Sequence, residues 1–120
     1  MARELMRRGF EIVGRNVKIG TGRSAIEIDI VARSGCDYAL VEVKTARYPT
    51  TPETMLHDRQ RMRLARAEQR FRRGLPSSHR VQLVLAAVAV DRPLTSTGRA
   101  PHKPDMRFFR IEGIVEDSLD

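Results

Sequence analysis

Two short segments carry ionisable groups that could hold a cation and act on a phosphate ester. They are Glu27 and Asp29 in Ile26-Glu27-Ile28-Asp29-Ile30-Val31, and Glu42 and Lys44 in Leu40-Val41-Glu42-Val43-Lys44. Read as strands, each pair shares one face, because side chains alternate along an extended chain. Between them, Ser34-Gly35-Cys36-Asp37 reads as a hairpin turn. A two-residue turn on Gly35-Cys36 sets Asp29 opposite Glu42 and Glu27 opposite Lys44. Facing carboxylates repel, and a divalent cation between them is the simplest way to make the arrangement favourable.

A hard cation such as Mg²⁺ or Mn²⁺ takes oxygen ligands, usually one or two carboxylates with waters and phosphate oxygens. Asp29 and Glu42 supply the carboxylates, and the main-chain carbonyl of Val43 is expected close by as a third oxygen. Such an ion lowers the pKa of a bound water and polarises a phosphate. Lys44 places an ammonium on the face of Glu42, where it can orient the attacking water or offset charge building on the phosphate. Glu27 is an extra ligand, an outer partner of the ligands, or the salt-bridge mate of Lys44. The same alternation describes any half-exposed hairpin, with Glu27–Lys44 as an ordinary cross-strand pair. That reading leaves Asp29 opposite Glu42 unexplained. Val31 shares the charged face, which argues that this face is not fully solvated.

The elements that must position these groups read as one α/β domain over residues 1–120, in the order β-β-β-α-β-β. Residues 2–8 read as a short helix stopped by Gly9. A first strand follows at about 10–17, then a Gly20-Thr21-Gly22-Arg23-Ser24 loop and strands at about 25–33 and 38–45. Thr51 and Pro52 suit the cap and first position of a long helix that runs to Arg73, with Gly74 and Pro76 beyond it. Val81 to Val90 is nearly continuous apolar sequence, the mark of a strand covered on both faces. Residues 92–105 hold three of the six prolines and read as an irregular loop, 106–111 as an edge strand, and 116–120 as a frayed acidic tail.

The long helix is unusual in its charge. Between Arg59 and Arg73 stand seven arginines and one acid, Glu68. Arg59, Arg63, Arg66, Arg70 and Arg73 recur at helical spacing as one stripe about 21 Å long, comparable to roughly six base steps. The stripe has no acidic partners four residues away, so it repels itself, and bound phosphates would relieve that. Arginine on phosphate gives affinity without sequence reading. Leu56, Leu64, Ala67 and Phe71 form a neighbouring apolar stripe suited to packing on the sheet.

Composition points toward a polyanionic partner, since net charge is +7 and the sequence pI about 10.7, but basic charge by itself does not say which. No apolar run approaches ~18 residues, so no transmembrane helix is expected, and Met1-Ala2-Arg3-Glu4 lacks the apolar core of a signal peptide. The single cysteine, Cys36, cannot form an internal disulfide and says nothing against a reducing cytoplasm. His57, His79 and His102 show no ligand spacing with one another or with Cys36. Gly20-Thr21-Gly22 lacks the Lys-Ser/Thr of a phosphate-cradling loop.

Ile26-Glu27-Ile28-Asp29-Ile30-Val31-Ala32 followed by Val41-Glu42-Val43-Lys44-Thr45 resembles the PD-(D/E)xK, restriction-endonuclease-like superfamily. More narrowly, the chain resembles the YraN-like family of small bacterial proteins, relatives of Holliday-junction resolvases. The resemblance begins at Arg8-Gly9-Phe10-Glu11-Ile12 and Arg15-Asn16, continues through Pro52 and Arg59-Gln60-Arg61, and ends at Val84–Val90, roughly two-thirds of the chain. It implies a nuclease fold, Asp29 and Glu42 as metal ligands, Lys44 as the catalytic lysine, and Arg59-Gln60 as the family's basic-polar pair. Gln60 is thereby a further candidate for the shell around the ligands.

Three features depart from the family pattern. Ile26 stands where a glycine is usual, and the loop at 92–105 is longer than expected. The family's first-helix glutamate would precede Met1, with Glu4 at the wrong offset, so either the first helix is short or truncated or the site is incomplete. Two functional readings follow: a Mg²⁺- or Mn²⁺-dependent DNA endonuclease, or a nuclease-fold protein that binds nucleic acid without turnover. A third is a partner-binding module whose basic helix meets an acidic protein. Resolvase-like relatives often act as dimers, but no residue here marks an interface.

Overall fold

The computed structural model describes residues 1–46, 55–89 and 106–111. The expected start of the long helix at Thr51–Pro52, the loop at 92–105 and the tail at 116–120 lie outside them.

Helix α1 (Ala2–Arg7) buries Ala2 and Leu5 and ends at Arg8, with Gly9 following at φ +96°. That conformation costs glycine nothing and other residues much. Strands β1 (Glu11–Ile19), β2 (Ile26–Ser34) and β3 (Asp37–Ala46) follow, then helix α2 (Asp58–Arg73) and strands β4 (Arg80–Ala89) and β5 (Met106–Arg110). The strands lie side by side in the order β1-β2-β3-β4-β5, with β3 and β4 parallel and the other neighbours antiparallel. A parallel pair needs a long crossover, and α2 lies in it. The outcome is a mixed, open α/β sheet in the expected element order, consistent with the restriction-endonuclease-like class.

Among the described residues, helix α2 is capped at His57. His57 is extended (φ −72°, ψ 158°), and its N–H donates to Gln60 Oε1 at 3.0 Å, which closes the first turn. Gln60 is therefore a capping residue, and its carbonyl oxygen is already engaged. Asp58 in the first turn and Arg70, Arg72 and Arg73 in the last both complement the helix dipole.

Apolar residues cover both faces of the sheet. Leu64 and Ala67 of α2 pack with Ile26, Ile28, Leu40, Leu83 and Leu85 on one face. Leu5 of α1 packs with Ile30, Ala32, Ala39, Val41 and Ala86 on the other. Strand β4 feeds both clusters, as its continuous apolar run implied. Leu64, 1% exposed, anchors α2, and its truncation to alanine would cost about 2–5 kcal/mol.

Strand β2 does not alternate strictly. Ile28 and Val31 belong to the α2-side cluster although three residues apart, whereas Ile30 and Ala32 belong to the α1-side cluster. The irregularity falls at Asp29. Val17 pairs with Ile28 and Arg15 with Ile30, and between them Asn16 adopts φ 52°. Asn is among the few residues that tolerate this region. Strand β1 also slips register between Ile12 and Gly14. The presence of Val31 near the charged groups thus reflects a switch of face at Asp29.

Candidate metal centre and arginine face

The hairpin that carries the site has the expected register. Ser34 pairs with Asp37, and the ladder runs to Ile30 opposite Val41, around a turn with Gly35 at φ +62° and Cys36 exposed. Beyond Ile30 and Val41 the main-chain pairing stops. There the Asp29 carboxylate, through Oδ2, accepts the Val43 N–H at 2.8 Å. A side chain thus takes the place of a ladder carbonyl, and the irregularity opposite Asn16 brings Asp29 to that gap.

Glu27 does not pair with Lys44. Its cross-strand partner is Lys18 on β1, and it is exposed. Of the three roles open to Glu27, the salt bridge with Lys44 is not made, although Glu27 is near enough to Glu42 to act on its charge.

Glu42 is 8% exposed and is the one charged residue buried among the described residues. Its Oε1 is buried with no hydrogen-bond partner among the described residues. Its Oε2 lies 3.9 Å from Arg63 Nη2, an ion pair too long to be a hydrogen bond. Burial pushes its carboxyl above the ordinary glutamate value, and the nearby Asp29 charge pushes it further. Arg63 and Lys44 act in the opposite sense, and Glu27 adds a weaker upward push. Lys44, half-buried, lies two residues along β3 from Glu42 and so on the same face. Asp29, Glu42 and Lys44 therefore gather where β2 and β3 part.

An uncompensated, buried carboxylate oxygen beside a second carboxylate is an oxygen-only donor set, the kind that would suit a hard cation. Among the described residues, no group of three or more His, Cys, Asp and Glu side chains could hold a metal. Main-chain oxygen, water and substrate could add to an ion's shell beside these two carboxylates. Glu4 does not supply a third carboxylate. It is held by Arg7 at 2.8 Å and Arg8 at 2.9 Å, which lower its pKa to about 2.

The arginine stripe divides into two edges. On the edge nearer the sheet, Arg63 turns to Glu42, and Arg70 Nη1 donates to the Ser24 carbonyl at 2.6 Å. Gly20, at φ +95°, makes room for that second contact, since a Cβ there would stand 2.7 Å from Arg70 Nη1. On the outer edge, Arg59, Arg66 and Arg73 are exposed, with no hydrogen bond or ion pair to another described side chain. Arg72, off the stripe, pairs with Glu68 at 2.6 Å. The engagement of Arg63 and Arg70 was not legible in the helix pattern, because both partners lie far away in sequence. Nor was the role of Asn16, whose one local signal is its residue type in mid-strand.

The fold is that of a small mixed α/β protein consistent with the restriction-endonuclease-like class, with Asp29 and Glu42 near one another. The family model described as "Uncharacterised protein family UPF0102" matches residues 1–90. The chain is also 34% identical, over 99 residues, to a UPF0102 protein of Paramagnetospirillum magneticum (strain ATCC 700264 / AMB-1), covering 82% of this chain and 73% of that protein. The chain belongs to the UPF0102 family, the YraN-like group that its motif residues resemble. No described helix is long and apolar enough to cross a membrane.

Proposed function

We infer that the protein is a cytoplasmic, divalent-metal-dependent endonuclease that hydrolyses phosphodiester bonds in DNA, with branched or damaged DNA as the candidate substrate. The observation that carries this reading is the buried, unpartnered Oε1 of Glu42 beside Asp29, with Lys44 on the same face. Asp29 and Glu42 are the residues that would hold Mg²⁺ or Mn²⁺. The Val43 carbonyl is expected on the same edge of β3 as the N–H that meets Asp29, as a third oxygen. When bound, the ion supplies Lewis-acid charge to the phosphate and to the attacking water.

The remaining work falls to this chain's side chains. Lys44 holds the nucleophilic water in place and offsets negative charge as it builds on the phosphoryl oxygens. The Val43 N–H fixes the rotamer of Asp29, so that a ligand carboxylate is oriented before any ion arrives. Arg59, Arg66 and Arg73 meet the backbone phosphates away from the reacting bond.

The test is Mg²⁺- or Mn²⁺-dependent cleavage on a panel of linear, nicked, flapped and four-way DNA. Cleavage should disappear in Asp29→Ala, Glu42→Ala and Lys44→Ala. A folded protein that cuts none of the panel with either metal would overturn the reading.

A second reading is a nuclease-fold protein that binds nucleic acid without turnover. It is favoured by the lack of a third ligating side chain among the described residues and by the engagement of Glu4 with Arg7 and Arg8. It predicts salt-sensitive binding, weakened by alanine at Arg63, Arg66 and Arg70, and no cleavage.

A further inference from the structure

Arg63 differs from the other arginines of the stripe in what it faces. Its guanidinium lies 3.9 Å from Glu42 Oε2, at the mouth of the carboxylate pair, and its side chain is 43% exposed. At that distance it offsets charge without making a hydrogen bond, so it is held loosely. The other oxygen of Glu42 has no partner, so Arg63 compensates the site only in part. Along α2, Arg63 stands between Arg59 and Arg66, both exposed with no pairing to a described side chain. Arg63 thus shares its helix face with exposed arginines and is itself partly open to solvent.

We propose that Arg63 is the built-in counter-cation of the metal-free centre, displaced from Glu42 when a divalent ion enters and then free to hold a nucleic-acid phosphate. The proposal rests on the metal-centre reading and adds an exchange between two anionic partners. In the metal-free protein, Glu42 holds the Arg63 head and so keeps it from phosphate. In the loaded protein, two positive charges crowd one carboxylate, and the mobile one leaves. Ion binding thereby strengthens phosphate binding through a single side chain, a coupling that must run in both directions. Arg63 is a positioning residue in this scheme, since its action on the centre runs through Glu42.

The experiment is a calorimetric Mn²⁺ titration, without nucleic acid, of wild type, Arg63→Ala, Arg63→Lys and Arg66→Ala at a mildly alkaline pH. Removing a unit charge beside a divalent ion, through largely water-like surroundings, should tighten Mn²⁺ binding of Arg63→Ala by roughly tenfold. Arg63→Lys and Arg66→Ala should stay close to wild type. Fluorescence anisotropy with a short duplex supplies the second arm. With a chelator present, Arg63→Ala should bind the duplex as wild type does. With saturating Ca²⁺, it should bind several-fold more weakly. Unchanged or weaker Mn²⁺ binding in Arg63→Ala, or an equal loss of duplex affinity with and without metal, would overturn the proposal while leaving the metal centre standing. If wild type itself bound no Mn²⁺, the metal-centre reading would fall, and this proposal with it.

Discussion

Replacing Glu42 with methionine should make the metal-free protein more stable. Methionine matches the length of glutamate and removes the buried oxygen that has no partner. Leaving such a group unsatisfied costs about 1–3 kcal/mol, and exchanging buried charge for apolar volume commonly gains a similar amount. The substitution also ends repulsion with Asp29. Against this stands the Arg63 contact, which at 3.9 Å and 43% exposure contributes at most about 1 kcal/mol. The net gain should be about 1–2 kcal/mol, or roughly 4–8 °C in Tm for a domain of this size.

The gain should depend on pH with a definite sign. The folded-state pKa of Glu42 lies above its ordinary value of 4.5, so the folded state holds that proton more tightly than the unfolded state. The wild type therefore loses stability as pH rises from 4.5 through the folded pKa, and methionine does not. The difference is full above that pKa and shrinks towards the packing contribution as pH falls to 4.5. Thermal unfolding followed by circular dichroism, in chelator and across this range, reads both curves. A methionine variant that is no more stable at alkaline pH, or whose advantage grows on acidification, would refute the reasoning.

Other outcomes follow from the same geometry. Asp29→Asn keeps an acceptor for the Val43 N–H while Asp29→Ala does not, so the alanine variant should be less stable in urea by about 1–2 kcal/mol. Both should lose Mn²⁺ binding by calorimetry. Gly20→Ala forces a side chain onto φ +95° and against Arg70 Nη1, and should cost about 1–2 kcal/mol in urea unfolding. Glu4→Gln should leave Mn²⁺ affinity unchanged, because Glu4 is turned to Arg7 and Arg8; the Glu4 carboxyl itself should titrate near 2 by NMR.

Much of the fold could be read from local chemistry. The register of the β2–β3 hairpin followed from one two-residue turn at Gly35-Cys36, and it held from Ser34 to Ile30. Gly9, Gly74 and Pro76 marked where helices stop, and the apolar run of β4 announced a strand covered on both faces. Strict alternation failed where a side chain competed with the main chain. Asp29 takes a ladder hydrogen bond from Val43 opposite an Asn16 at φ 52°, and β2 changes face there, so Val31 joins the core while Glu27 faces Lys18. The arginine stripe has the expected helical spacing. Which of its members fold back on the protein depended on Glu42 and Ser24, brought near only by tertiary packing. Gln60 caps α2, a role that its distance from His57 in sequence does suggest.

The most direct test of the central claim is an anomalous difference map from crystals soaked in Mn²⁺. The account predicts a peak between Asp29 and Glu42, with carboxylate oxygens of both residues at roughly 2 Å. A map with no peak there, while both side chains remain ordered around the same gap, would contradict it.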